Sequence, residues 1–419
     1  MGYDLILLLL GSIYIEKLFL KEKYILLSPF FIFHISFLYT YIMPLILYGD
    51  RDSQNYLNRL SDDYVSELLL YCRIFYYIFF VLQFFVFLNL KKKRYRYICT
   101  DFEIKPRLFI YMYIMLLTGG ILIDLYRVNF NIINYFLLMI DPRSFTYLRE
   151  GLGPFTILNT FVRLVLVYIS FIYFFSKKTW KRLFYLLTAC FFCVLGGSKS
   201  SLIFVVIFGI LLYQKYSKKV LSISFYSIIK VCIFVSFALL FSFYIMSGSI
   251  QLLSLKDVIN FIVSYSQEAF YSTLVINDFN YSFDHIVLLI KGFLLTPIPR
   301  TLYSEKEFYS FYNVYWHDAY QPNSPIFHTS TYGFLAEGHM LLGFLCPIVY
   351  PILIIYVLRK IYVLFLMNND FITTFMMTYL VSRIYFFTRT NFFDPTNIWT
   401  IIVYYLFLQI IFKFVKRIK

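Results

Sequence analysis

Apolar runs long enough to cross a bilayer recur along almost the whole of this 419-residue chain, and no other feature restricts its fold as much. A hydrocarbon core about 30 Å thick is crossed by roughly 20 helical residues at a rise of about 1.5 Å each. We find about eleven candidate segments by this criterion. They are residues 3–18, 24–48, 65–90, 108–126, 155–175, 183–195, 202–213, 220–246, 333–358, 371–387 and 398–414. In lipid the backbone N–H and C=O groups have no water to bond, so such segments satisfy them internally as helices. A composition that is 60% hydrophobic agrees. The expected fold class is therefore an all-α polytopic membrane protein, with residues 1–419 forming one integral membrane domain. The first run follows no strongly basic leader and ends in Glu16-Lys17 rather than in small residues, so it reads as a retained helix and not a signal peptide.

Lysine and arginine collect beside the runs, and such clusters mark cytoplasmic ends. They lie at 91–96, 177–182, 215–219, 359–360 and 413–419. The alternation of spans then puts 50–63, 127–154, 196–201, the long segment 247–331 and 388–397 on the outer side. Cytoplasmic anchoring to anionic lipid accounts for most of the formal net charge of +15, so no nucleic-acid partner is implied. The six cysteines lie in or next to apolar runs and imply no disulfide framework. Cys190 and Cys193 form a C-x-x-C spacing, but with Phe191 and Phe192 between them they read as packing residues.

Polarity concentrates in 247–331. Of the five histidines, His285, His317 and His328 fall inside this segment and His339 lies just beyond it. A membrane protein that gathers its titratable side chains in one large loop is expected to do its chemistry or recognition there. Within the loop, 257–279 carries apolar residues at helical spacing and suggests an interfacial amphipathic helix; 286–295 is too short to span and suggests another. The prolines of Thr296-Pro297-Ile298-Pro299-Arg300 stiffen the backbone that presents Arg300. Downstream, Trp316 offers an aromatic face for a sugar, and His317, beside Asp318, fits either an oriented base or a surface histidine. His328 precedes the hydroxyl-rich Thr329-Ser330-Thr331. Glu337 fits a carboxyl group tuned by burial or the ion-pair partner of an intramembrane arginine, and the sequence weighs the two equally. The histidines are too scattered for metal-ligand spacing, and no metal site is expected.

A second candidate is the turn Gly196-Gly197-Ser198-Lys199-Ser200-Ser201 between two short apolar runs. Its glycines permit close approach, its hydroxyls donate, and a helix beginning near Ser201 offers free amides, all suited to an anion. Lys199 adds a full charge, unless the turn is an ordinary hairpin with Lys199 snorkelling to the surface. Arg163 and Arg383 lie inside runs, while Arg127 and Arg389 mark outer edges. An arginine exposed to lipid costs several kcal/mol, so each is expected to face the bundle interior or an aqueous cavity. The carboxylates available to them are Asp124, Glu150, Glu337 and Asp394, with Arg127 and Asp124 one turn apart. Cations in excess of these partners fit a polyanion that reaches the outer leaflet, such as a lipid-linked diphosphate.

The string from Leu295 through Thr-Pro-Ile-Pro to Arg300, followed by Thr331-Tyr-Gly-Phe-Leu-Ala-Glu337-Gly and Leu342-Gly343-Phe, resembles the Wzy-type O-antigen and oligosaccharide repeat-unit polymerases. The number of runs, the large loop in the C-terminal third and the Gly-Gly-Ser-Lys-Ser-Ser turn are similar as well. The resemblance implies a GT-C-like membrane fold in the bacterial inner membrane and a glycosyltransferase working at the periplasmic face without nucleotide sugar, metal or other cofactor. Its substrate is implied to be undecaprenyl-diphosphate-linked oligosaccharide, with membrane lipid and a chain-length regulator protein as further partners. It assigns diphosphate binding to Arg300 and Lys199, with Arg163 and Arg383 in support. Catalysis falls to Glu337, His328 and Arg300, and glycan contact to Trp316 and His317. One departure is Lys199, where relatives commonly carry arginine, because lysine cannot form the bidentate fork.

Two other functions fit the same sequence. An O-antigen ligase uses the same donor but hands the glycan to the lipid A core. A polysaccharide-lipid flippase or other transporter would use the broken helix pair around Gly197 as a midplane site, although no paired halves are visible.

Overall fold

The computed structural model describes residues 2–20, 28–50, 55–92, 104–140, 153–195, 199–216, 267–279, 282–298, 332–368, 370–389 and 395–417. These residues fold into α1 (Tyr3–Leu20), α2 (Pro29–Phe37), α3 (Met43–Ile46), α4 (Asp62–Lys92), α5 (Pro106–Arg127), α6 (Ile132–Ile140), α7 (Gly153–Ser176), α8 (Trp180–Leu195) and α9 (Lys199–Tyr216). They continue with α10 (Glu268–Asp278), α11 (Phe283–Leu295), α12 (Gly333–Leu342), α13 (Cys346–Met367), α14 (Phe371–Arg389) and α15 (Pro395–Arg417). Every expected apolar run other than 220–246 carries helix, and 220–246 lies outside the described residues. Among the described residues, five stretches are long and apolar enough to cross a membrane: Pro29–Ile46, Asp62–Lys91, Pro106–Arg127, Ile157–Ser176 and Gly333–Met367. The chain is thus an all-α protein with the helices of a membrane protein.

Two of these stretches are not the plain helices the sequence suggested. Between α2 and α3 the backbone widens into one π-helical segment, Leu38–Ile42, with Pro44 following at the start of α3. A proline has no N–H to continue the ladder, and a π segment is one way to absorb the mismatch. Residues 333–358, expected as a single helix, are divided into α12 and α13 by a short 3-10 turn, Gly343–Leu345. Gly343 takes φ +57, a conformation open to glycine, and Pro347 starts the next helix.

Two apolar cores hold the fold. The first is built by α1, α2, α4 and α13 with part of α12, and is dominated by stacked rings such as Phe33 with Phe79 and Phe37 with Phe75. The second joins α5, α7, α8, α9, α14 and α15 around Tyr168, Phe208, Phe375 and Tyr404. Helix α14 contributes to both, and Ser36 of α2 donates to the Tyr385 carbonyl of α14 at 3.2 Å.

Of the two expected interfacial helices, the first is described from residue 267 onward. Helix α10 packs against α4 and α12 and buries Glu268, Ser272 and Thr273. The buried hydroxyls are satisfied there: Ser272 donates to the Tyr332 carbonyl at 2.6 Å, and Thr273 to the Ala269 carbonyl at 2.7 Å. Helix α11 keeps the expected apolar exposure at Phe283, Ile290 and Leu294 and is held to α15 by Trp399, whose Nε1 donates to the Phe293 carbonyl at 2.8 Å.

Candidate functional site

The largest concentration of charge inside the bundle lies where α5, α7 and α8 meet. Asp124 on α5 accepts from Nη2 of Arg163 on α7, and Nδ2 of Asn159, one turn earlier on α7, donates to its other oxygen at 2.6 Å. Arg163 Nε donates in turn to Asn159 Oδ1 at 3.3 Å, and Arg127 Nη1 lies 3.5 Å from Asp124. The i,i+4 spacing of Asn159 and Arg163 places both on one face of α7, where they meet the carboxylate from α5 as one unit. The guanidinium of Arg163 lies 4.5 Å from the centre of the Phe192 ring on α8. The same ring packs on Gly120, where an added Cβ would sit 2.8 Å from it. A small residue is needed here because any side chain on this turn of α5 would push Phe192 away from Arg163.

All three charged side chains are buried, with Arg163 only 5% exposed. Arg163 Nη1 has no hydrogen-bond partner among the described residues. A buried N–H of this kind normally finds one, so Nη1 is a donor with capacity for a further acceptor.

Arg383 lies on α14, which packs on α7 through Phe375 against Phe161 and Tyr168. Its Nε donates to the Tyr379 hydroxyl at 3.1 Å, one turn back on α14, and Tyr404 of α15 lies beside both. The Tyr404 hydroxyl reaches the Ile157 carbonyl at 3.4 Å, near the start of α7. Cys193 of α8 and Tyr404 are buried in the same apolar core.

Helix register brings the start of α9 level with Asn159 and Arg383, about 6 Å along the bundle from Arg163. Phe208 of α9 packs edge-on against Tyr168 of α7 and Phe375 of α14. Going back nine residues from Phe208 gives Lys199, and nine back from Tyr168 gives Asn159; eight forward from Phe375 gives Arg383. At about 1.5 Å per residue each lies about 13 Å along its helix from the same aromatic layer. The expected start of this helix, near Ser201, moves to Lys199, the first residue of α9. The backbone amides of its first turn are those that a helix leaves without intrahelical partners.

Glu337 is placed elsewhere. It is fully buried in α12 and accepts from the Tyr350 hydroxyl of α13 at 2.7 Å, with Cys346 beside it. His339 receives the Tyr71 hydroxyl on Nδ1 at 2.9 Å and meets the Phe279 carbonyl through Nε2 at 3.0 Å, a bracing role between α4, α10 and α12. His285 makes a comparable bond from Nδ1 to the Met340 carbonyl at 3.0 Å. Arg389 is paired through Nε with Glu268 at 2.8 Å. Arg300, Trp316, His317 and His328 lie outside the described residues, as do the side chain of Lys199 and the turn at 196–198.

Sequence reasoning named Arg163, Arg127 and Asp124 but missed Asn159 and the Arg389–Glu268 pair. Asn159 was detectable, being a polar residue one turn from an arginine in an apolar run. Glu268 was not, because its partner lies more than a hundred residues away in the chain. Among the described residues no three His, Cys, Asp or Glu side chains converge as a metal site would require. No family model, curated protein or solved structure matches this chain.

Proposed function

We propose that the protein is a polymerase of lipid-linked oligosaccharide repeat units. In this reading it transfers the growing glycan from undecaprenyl diphosphate to a sugar hydroxyl of a second lipid-linked repeat unit, at the periplasmic face of the bacterial inner membrane. The observation that carries it is the buried Arg163 guanidinium, held by Asp124 and Asn159 and carrying one N–H arm without a partner among the described residues.

The chemistry follows from the leaving group. When the bond between the sugar carbon and the diphosphate breaks, negative charge develops on the departing oxygen, and fixed cations and helix-end amides stabilise it without any acid having to protonate it. Arg163 Nη1 and Arg383 supply such donors from the bundle, and Arg300 and Lys199 are the corresponding cations of the loop and turn. The acceptor hydroxyl loses its proton as it attacks the same carbon, which requires a base, His328 or Glu337 in this assignment. Trp316 and His317 fit the glycan. Asp124 is a positioning residue: it holds Arg163 through Nη2 and leaves Nη1 turned elsewhere.

The test is deletion of the gene in its source bacterium, with the extracted surface glycolipid resolved by size. Core carrying a single repeat unit, with the long ladder lost, supports the polymerase. Core without any repeat unit points to the ligase or the flippase and overturns it.

A further inference from the structure

Between α1, α2 and α4 a buried polar cluster braces helices: Glu16 accepts from the Ser28 hydroxyl, and Tyr76 bonds Nδ1 of His34. The cluster around Asp124 differs, because Arg163 Nη1 is left without an acceptor among the described residues. The helix that follows Asp124 in the chain, α6, bears on that vacancy.

Helix α5 ends three residues after Asp124, and Asn129 and Phe130, at φ +52 and +57, turn the chain back. The Phe130 amide donates to the Leu125 carbonyl at 2.7 Å, and Asn131 Oδ1 caps α6 by accepting from the Ile133 and Asn134 amides at 3.0 and 3.1 Å. Left-handed backbone is uncommon outside glycine, so this bonded corner fixes the direction of α6. It brings the Tyr135 ring, 8% exposed, onto Ile121, Leu125 and Val128. Ile121 and Leu125 share one face of α5 with Asp124, three residues after Ile121, so the ring lies against the face that carries the cluster.

Burial raises the Tyr135 phenol above its ordinary pKa; the charge of Asp124 adds to the rise and that of Arg163 opposes it. A phenol so placed is protonated at neutral pH and keeps its O–H as a donor. That O–H makes no hydrogen bond among the described residues, and both Asp124 oxygens are already taken by Asn159 and Arg163. Elsewhere on its surface α6 exposes Ile132, Ile133 and Phe136. A short helix with an exposed apolar side, at the end of α5 expected to reach the outer leaflet, is suited to rest in lipid.

We propose that Tyr135 is the second donor of the Arg163 anion site: one oxygen of a lipid diphosphate accepts from Arg163 Nη1, another accepts from the Tyr135 hydroxyl, and the hydrocarbon chain passes into lipid beside Ile132, Ile133 and Phe136. This rests on the reading of Arg163 as a diphosphate ligand. The two donors need not touch, since the oxygens they hold belong to different phosphoryl groups. Arg163 Nη1 is buried, so binding shifts α6 outward, and the hydroxyl moves with it onto the ligand. A molecule carrying both a diphosphate and a hydrocarbon chain fits both halves of the site, whereas pyrophosphate or a polyprenol fits only one.

The test is retention of undecaprenyl diphosphate, undecaprenol and inorganic pyrophosphate by the purified full chain, read by native mass spectrometry. Tyr135→Phe keeps the ring on Ile121, Leu125 and Val128 and removes only the donor. It is expected to weaken retention of undecaprenyl diphosphate about tenfold and to leave that of undecaprenol unchanged. Loss of retention in Arg163→Gln together with wild-type retention in Tyr135→Phe overturns this inference and leaves the diphosphate reading standing. Unchanged retention in both variants overturns both. Pyrophosphate held as tightly as the lipid diphosphate overturns the lipid-borne ligand. If Tyr135→Phe fails to fold, 3,5-difluorotyrosine at position 135 keeps the hydroxyl but makes it more acidic. Retention of the diphosphate by that protein is expected to fall as pH rises over a range where the wild type is constant, and a flat profile overturns the inference.

Discussion

The two buried polar clusters solve the same electrostatic problem in opposite ways. Between α5, α7 and α8, Asp124 is neutralised by the guanidinium groups of Arg163 and Arg127, with Asn159 filling the remaining bond. Between α1, α2 and α4, Glu16 has a serine hydroxyl and no cation among the described residues. Ion pairing fixes geometry but makes each member indispensable, since removing one leaves an uncompensated charge. The first arrangement suits recognition of a charged ligand at a fixed position.

The contrast predicts a graded series of unfolding measurements in mixed detergent. The largest loss is expected for Asp124→Ala, about 3–5 kcal/mol, because two buried arginines lose their carboxylate. Combining Asp124→Asn with Arg163→Gln should recover a substantial part of it, and a strictly additive double variant would show that the two residues do not act as a pair. His34→Leu is expected to cost about 1–3 kcal/mol by stranding the Tyr76 hydroxyl. The smallest effect is expected for Glu16→Gln, within about 1 kcal/mol of wild type at neutral pH, since the amide keeps the carboxyl's shape and an oxygen that accepts from Ser28. A loss for Glu16→Gln as large as that for Asp124→Ala would erase the distinction between the clusters.

The helices of this fold were legible in the sequence because lipid demands continuous apolar runs, and α4, α5 and α7 follow them closely. The break at Gly343 was not, since an apolar run looks the same whether or not its backbone turns, and only the pairing of Gly343 with Pro347 hints at it. The burial of α10 was missed for a related reason. The apolar spacing over 257–279 suggested an amphipathic helix, and the partners that bury Glu268 and Ser272, Arg389 and Tyr332, come from distant segments. At the candidate site the sequence supplied the arginines as anomalies in apolar runs. It could not show that Asn159 and Arg163 meet Asp124 of α5 as one unit, which depends on how α5 and α7 pack.

Binding of a polyprenyl diphosphate to the purified protein, followed by native mass spectrometry for wild type and Arg163→Gln, tests the central claim most directly. The account predicts that the wild-type protein retains the lipid diphosphate and that Arg163→Gln weakens retention at least tenfold, while an uncharged polyprenol is held weakly by both. Equal retention of the diphosphate by the two proteins, with Arg163→Gln correctly folded, would contradict it.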